Sequence, residues 1–157
     1  LFRRTALETA AEFPDLQVDE MLVDTCAMQL VLAPEQFGVI VTTNLFGDIL
    51  SDEASALTGG LGLACSANLG ERAAVFEPVH GSAPALAGRG IANPLGMIGS
   101  AALMLEYLGE VEWATRIERA IRRVIAAGQV TPDLGGGLTT QQTAAAVIQA
   151  LFSDEGE

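Results

Sequence analysis

Two carboxylates four residues apart, Asp48 and Asp52, sit in the stretch Asn44-Leu45-Phe46-Gly47-Asp48-Ile49-Leu50-Ser51-Asp52. On a helix they share a face, and like charges at that spacing repel by about 0.2–0.5 kcal/mol. A divalent cation turns that repulsion into attraction, and oxygen-only donors suit hard ions such as Mg²⁺ or Mn²⁺. The same pair also fits a solvated acidic face near a helix N-terminus, where the macrodipole favours carboxylates. Asp24 closes a strand-like run, so it is either an N-cap or a group at a strand end, where α/β sites gather. The loop Glu77-Pro78-Val79-His80-Gly81-Ser82-Ala83-Pro84 holds the only histidine. Several backbone N–H groups in such a tight loop can cradle phosphate oxygens, although a plain loop imidazole has the same pattern. Gly59-Gly60-Leu61-Gly62 is not the GxGxxG fingerprint and carries no dinucleotide weight alone. Cys26 and Cys65 lack metal-ligand spacing and read as small buried residues, and Trp113 and the methionines read as core.

These groups need elements to hold them. Apolar positions Phe2, Ala6, Leu7, Ala10 and Phe13 predict an opening helix, ended by Pro14 and Asp15. Residues 18–23 predict a short strand, and Ala27, Met28, Leu30, Val31 and Leu32 a second helix before Pro34. The run 37–42, Phe-Gly-Val-Ile-Val-Thr, has the unbroken apolar character of a strand buried on both faces of a parallel sheet. A helix follows over 45–57. This order of helix, strand, helix, strand, helix is α/β. Residues 63–93 read as loop-rich with one strand at 73–76. Three helices then follow, at 94–108, 110–127 and 139–152. Pro94 suits a first helical position. Val111, Ala114, Ile117, Ile121, Val124 and Ile125 form one face of the middle helix, opposite the i,i+4 pairs Glu112/Arg116 and Glu118/Arg122. The acidic tail after Phe152 reads as frayed.

Composition removes several classes of function. The chain has 157 residues, 50% of them apolar, which is enough for a core and too many for an intrinsically disordered chain. With 20 acidic against 8 basic residues the net charge is −12, the reverse of a nucleic-acid-binding surface. No uninterrupted apolar run reaches the roughly 18 residues of a membrane span, and no signal peptide is expected at the N-terminus. Two cysteines make no disulfide framework, so a reducing, cytoplasmic setting is the expectation. All eight basic residues are arginines. Chemistry that needs a lysine must draw it from another chain or another segment.

Taken together and in order, these motifs resemble the β-decarboxylating dehydrogenases, the family of isocitrate, 3-isopropylmalate and homoisocitrate dehydrogenases. The resemblance runs through Asp24, Asn44-(x)2-Gly47-Asp48-(x)3-Asp52, Gly59-Gly60-Leu61-Gly62 and the loop from Glu77 to Pro84. It continues through Ala87-Gly88-(x)2-Ile91-Ala92-Asn93-Pro94 and Thr131-Pro132-Asp133-Leu134-Gly135-Gly136. It covers nearly the whole chain but only the C-terminal half of such an enzyme. It implies an isopropylmalate-dehydrogenase-like fold, three-layer α/β/α, here a partial chain lacking the N-terminal half. Residues 1–58 would be the C-terminal part of the dimer-forming small domain, and 59–157 that of the larger cofactor-binding domain.

The same resemblance implies roles. Asp48 and Asp52 match metal-binding carboxylates, and Asp24 matches an aspartate that reaches across a dimer interface into the neighbouring site. Glu77 matches a glutamate near the nicotinamide ribose. His80, Gly81, Ser82 and Ala83 match the loop holding the adenosine diphosphate part of NAD, Asn93 matches the asparagine near the adenine, and Asp133 lies in a later cofactor-side loop. NAD users usually carry an aspartate at the position of Ala85, and NADP users a basic residue, so NAD is expected with NADP possible. The implied substrate is a small 2-hydroxy acid with a 3-carboxylate. Hydride passes to the nicotinamide, and the 2-oxo acid formed loses carbon dioxide, with Mg²⁺ or Mn²⁺ as Lewis acid. General acid–base work falls to a lysine and a tyrosine absent from these residues, and Tyr107 does not match that tyrosine. Gly59 to Ala64 followed by Ser66-Ala67-Asn68 looks more like the homoisocitrate or isocitrate members, while Phe76-Glu77-Pro78 with Asp52-Glu53-Ala54-Ser55 is compatible with 3-isopropylmalate as well. The resemblance therefore ranks homoisocitrate first, then 3-isopropylmalate, then isocitrate. A homodimer or higher assembly is implied, with no nucleic-acid or membrane partner. The alternative is a non-catalytic fragment or regulatory subunit. Replacing Asp48 by Asn in the full-length protein is expected to abolish Mg²⁺-dependent turnover, and undiminished activity would remove Asp48 from the metal site.

Overall fold

The computed structural model describes residues 1–153, and the expected frayed tail beyond Ser153 lies outside the described residues. The chain forms two compact units, Leu1–Ala54 and Ser55–Glu157.

The first unit is helical. Its helices are α1 (Phe2–Ala10), α2 (Val23–Leu32) and the start of α3 (Asn44–Leu57), with a single 3-10 turn at Pro34–Gln36. Its small core is Cys26, Leu30 and Leu50, with Val23, Ala27 and Phe37 packed against it. Burial, with Glu53 adding its charge, pushes the Cys26 thiol pKa up and keeps it protonated. Arg3 and Glu20 pair side by side and tie α1 to the segment before α2.

Two sequence expectations fail here. Residues 18–22 and 37–42 belong to no strand, with a bend at Gly38, and α2 begins at Val23, the last residue of the first expected strand. A strand exists only through hydrogen bonds to a neighbour, and no neighbour pairs with either segment among the described residues. The expected burial fails with the pairing: Val39 is 87% exposed and Val41 72%. Met21, Ile40 and Phe46 line the same open apolar hollow, with a volume of about 470 Å³. The parallel sheet expected from 37–42 is therefore not formed among these residues.

The second unit has a fuller core. An antiparallel hairpin, β1 (Cys65–Leu69) and β2 (Ala74–Pro78), pairs Ser66 with Glu77 and Asn68 with Val75. The sequence placed one strand here, two residues short of the end of β2, and missed β1. Three helices follow: α4 (Leu95–Tyr107), α5 (Val111–Ala126) and α6 (Thr140–Phe152). The hairpin packs on α4, α4 on α5 and α5 on α6. Leu95, Ala120, Val124, Val130 and Val147 are the buried centre, ringed by Leu63, Ile98, Ile121, Leu134 and Leu151. Phe76 of β2 meets Tyr107 of α4 with ring centroids 5.6 Å apart. α6 opens on a capping box, in which Thr139 and Gln142 satisfy each other's backbone N–H groups. Pro94 is the N-cap of α4 rather than its first helical residue.

Further local readings need correction. Cys65 is exposed. Trp113 is 40% exposed and lies under the Arg116 guanidinium, 4.5 Å from the ring centroid. All four methionines, Met21, Met28, Met97 and Met104, are exposed rather than core. Each sits at helical or strand-like spacing, and spacing alone does not say whether a second layer covers that face. Arg122 pairs with Glu118 as expected, while Arg116 also donates to the Leu151 carbonyl. Among the described residues no helix is long and apolar enough to cross a membrane.

Apolar surface of this extent drives self-association. The 157-residue chain prepared alone is expected to elute as polydisperse aggregate in size-exclusion chromatography with light scattering. A monodisperse monomer with a cooperative thermal transition would contradict this.

Candidate functional site

The second unit contains a cleft of about 400 Å³ whose wall begins with the loop after β2. His80, Gly81, Ser82 and Ala83 form one side, and Asn93 and Asp133 line it from later segments. Local chemistry shapes the loop. Val79 N–H donates to the Ala64 carbonyl at 3.2 Å and ends the hairpin. The imidazole Nδ1–H of His80 donates to the Gly81 carbonyl at 3.0 Å, which fixes the tautomer, because a carbonyl only accepts. Ala83 has φ 42° and ψ 62°, the left-handed region, and is the one non-glycine with positive φ among the described residues. A side chain there costs roughly 1–2 kcal/mol. Pro84 then starts a 3-10 turn through Leu86. Among the described residues, the N–H groups of Gly81, Ser82 and Ala83 donate to no protein acceptor. Consecutive unspent amides in an exposed loop are suited to anionic oxygens, phosphate above all.

The opposite wall is held by side-chain hydrogen bonds. Asn93 Nδ2 donates to Asp133 Oδ2 at 2.9 Å, and Asn93 Oδ1 accepts the Leu95 N–H at 2.9 Å. Thr131 Oγ1 donates to Asp133 Oδ1 at 2.5 Å. Gly62 lies beneath this pair, where a Cβ would stand 2.6 Å from Asp133 Oδ2 and 3.0 Å from Asn93 Cβ. Its carbonyl accepts the Gly96 N–H at 2.9 Å. Thr140 joins α6 to the same wall through Ala92 and Gly90 carbonyls.

Six of the seven residues expected to hold the cofactor thus line one cleft: His80, Gly81, Ser82, Ala83, Asn93 and Asp133. The seventh, Glu77, lies on β2 outside the lining, where its carboxylate accepts from Asn68 Nδ2 at 3.3 Å. Sequence reasoning quoted Gly62, Ala87, Gly88, Ile91 and Ala92 in motifs without giving them a place, and they line the cleft too. Leu86 and Gly90 line it without being named in those motifs, and Thr131, quoted in a motif without a role, stands behind the lining and bonds to Asp133.

The three acidic residues considered for metal fall in the first unit. Asp48 and Asp52 are exposed on α3 with the expected i,i+4 spacing, and Asp48 Oδ2 accepts from Asn44 Nδ2 at 3.2 Å. Asp24 is not an N-cap: α2 starts one residue earlier, and Asp24 Oδ1 takes the N–H of Thr25 at 2.7 Å. No group of three His, Cys, Asp or Glu able to hold a metal occurs among the described residues. The donor chemistry of Asp48 and Asp52 suits a hard cation, but two carboxylates leave most of its coordination shell to other ligands.

Comparisons with known proteins agree on one family. The profile of the isocitrate/isopropylmalate dehydrogenases matches residues 1–150. The chain is 60% identical over 153 residues to the isocitrate/homoisocitrate dehydrogenase of Thermus thermophilus, covering 98% of this chain and 46% of that one. It is 52% identical over 151 residues to the 3-isopropylmalate dehydrogenase of Methanothermobacter thermautotrophicus, covering 96% and 46%. Among solved structures, isocitrate dehydrogenase from Methylococcus capsulatus superposes with a TM-score of 0.91 at 53% identity, covering 96% of this chain and 45% of that one. The chain spans about half the length of the curated relatives it matches.

The strain at Ala83 is testable in the full-length protein. Ala83→Gly is expected to raise stability by up to about 1 kcal/mol, and Ala83→Val to lower it by about 1–2 kcal/mol, read from urea midpoints. Equal midpoints for the two would mean that the loop is not held in this conformation.

Proposed function

Since the chain belongs to the isocitrate/isopropylmalate dehydrogenase family, we propose that it supplies the C-terminal half of a metal- and NAD-dependent dehydrogenase that oxidatively decarboxylates a 3-substituted malate. The observation that carries this is the convergence of His80, Gly81, Ser82, Ala83, Asn93 and Asp133 on one cleft with three unspent amides. In this reading the amides of Gly81 to Ala83 take the pyrophosphate oxygens, and His80 packs beside them. Asn93 meets the adenine end, and Glu77 approaches the nicotinamide ribose from β2. Bound there, the nicotinamide supplies the hydride acceptor.

Asp48 and Asp52 offer two oxygen donors to Mg²⁺ or Mn²⁺, with Asp24 of a partner subunit completing the set in a homodimer or larger assembly. Such an ion supplies Lewis-acid polarisation of substrate oxygens. Residues 1–58 then act as part of the dimer-forming domain, in keeping with the exposed apolar side chains of α2 and α3, and 59–157 as part of the cofactor domain. The chain has no lysine, so a lysine general base must come from residues outside it.

Homoisocitrate ranks first among substrates, then 3-isopropylmalate, then isocitrate, with the enzyme serving amino-acid biosynthesis in the cytoplasm. NAD ranks above NADP. Ala85 is exposed and offers neither a carboxylate for ribose hydroxyls nor a cation for a 2′-phosphate.

The test is an assay of the full-length protein with Mg²⁺ and NAD or NADP, giving homoisocitrate, 3-isopropylmalate and isocitrate in parallel and following the reduced cofactor. Turnover is expected with homoisocitrate and NAD. Turnover of another substrate would keep the enzyme and change the ranking. No turnover from a folded dimer would overturn the enzyme reading in favour of a non-catalytic subunit.

A further inference from the structure

We propose that Asp133, held by buried Thr131, is a positioning residue that fixes the amide of Asn93 with its NH₂ end set by the carboxylate, so that the cleft offers a hydrogen-bond donor there. The inference rests on reading the cleft as a dinucleotide site and deepens that reading. It also changes the expected role of Asp133 from ligand contact to support.

The argument is one of donors and acceptors. An asparagine amide has an accepting end and a donating end, and the two are similar in shape. Here both ends are chemically dictated. The Leu95 N–H can only donate, so Oδ1 must face it at 2.9 Å. The Asp133 carboxylate, when ionised, can only accept, so Nδ2 must face it at 2.9 Å. Flipping the amide would break both bonds at once and set oxygen against oxygen.

Asp133 is fixed in turn. Its other oxygen takes the Thr131 hydroxyl, and Thr131 is 0% exposed. The order of support therefore runs from the buried core outward, from Thr131 to Asp133 to Asn93. Gly62 admits the pair: a Cβ there would stand 2.6 Å from Asp133 Oδ2. Asn93 and Asp133 line the cleft and Thr131 does not. With one Nδ2 hydrogen given to Asp133, the second is left for an acceptor atom. Ring nitrogens of a purine are acceptors of that kind.

The test uses the full-length protein and titrates ADP-ribose by calorimetry, with nicotinamide mononucleotide as the fragment that lacks the adenosine end. D133A and N93A are each expected to weaken ADP-ribose by about tenfold, the scale of one charge-assisted hydrogen bond. The double variant should bind within about twofold of N93A alone, because Asp133 acts through Asn93. D133N should stay within about threefold of wild type: its amide oxygen can still accept from Asn93, and its NH₂ can donate to Thr131 once the hydroxyl turns. Affinity for the mononucleotide should not change in any variant.

If D133A fails to give a cooperative thermal transition, the near-isosteric T131V carries the same test with an expected loss of about threefold. Wild-type affinity in D133A or T131V, penalties of D133A and N93A that add in full, or a D133N loss equal to that of D133A would each overturn the relay. Failure of the wild-type protein to bind NAD, NADP and ADP-ribose would instead overturn the dinucleotide reading, and the relay with it.

Discussion

Thr131 is fully buried and Asn93 half-buried, and both find a partner in the exposed Asp133, which pins three distant segments of the second unit at one point. Gly62, Asn93 and the 131–133 turn meet there, joined by the Asn93–Asp133 and Thr131–Asp133 hydrogen bonds and by Gly96 N–H to the Gly62 carbonyl. Directly behind them lie Leu95 and Val130 of the core. A hydrogen bond to a charged group contributes about 1.5–3 kcal/mol net, and stranding the buried Thr131 hydroxyl costs about 1–3 kcal/mol. The knot is thus a constraint as well as a source of stability. It sets where α4 begins and where the 131–133 turn runs, and so fixes the wall of the cleft. The loop from His80 to Ala83 forms the other wall, tied to the end of the hairpin by the Val79 N–H to Ala64 bond and shaped by a left-handed residue that the surrounding structure keeps in place.

What was legible in the sequence divides along physical lines. Helices were legible because their hydrogen bonds are internal to the segment. α3, α4, α5 and α6 fall within a few residues of where apolar spacing, Gly109, Gly128 and Thr139 put them. The strand-like runs 18–23 and 37–42 were misread because the apolar pattern of a strand records what it would bury, whereas the strand itself requires a partner. Phe37 is packed against a core, yet Val39 and Val41 stand in the open. β1 was missed for the opposite reason. Cys65-Ser66-Ala67-Asn68-Leu69 does alternate apolar and polar residues, but it is short, built of small or weak strand formers and buries no apolar side chain, and it is a strand because β2 pairs with it.

The candidate site was legible as a set of motifs but not as a geometry. Proximity of His80, Asn93 and Asp133 follows from no spacing rule, since forty residues separate the last two. Ordered motifs carried by a family resemblance pointed to them, and the cleft gathers them with Glu77 left outside the lining. Thr131 shows the limit most clearly. Its hydroxyl matters because it is buried and aimed at a carboxylate, and neither property is written in the tripeptide Thr-Pro-Asp. Trp113 was misread as core for a related reason, since a large aromatic on an amphipathic helix can pack under a cation at the rim as well as inside.

The two units differ in how fully their own residues satisfy them, and that difference bears on function. The second unit closes a core around Leu95, Val124 and Val147 and builds a cleft whose polar walls are internally bonded. The first unit buries the three apolar side chains of its core and leaves Leu22, Val31, Leu32, Val39, Val41 and Leu45 largely in solvent. Apolar surface on that scale is stable only under cover. In the proposed reading the acidic pair Asp48 and Asp52 has a parallel shortfall, since two carboxylates cannot fill the oxygen shell of a divalent cation. In that reading both shortfalls lie in the same unit and call for the same remedy, protein supplied from beyond these residues. The walls of the second unit's cleft are bonded among its own residues, so the same reading makes binding of a nucleotide fragment and metal-dependent turnover separable properties.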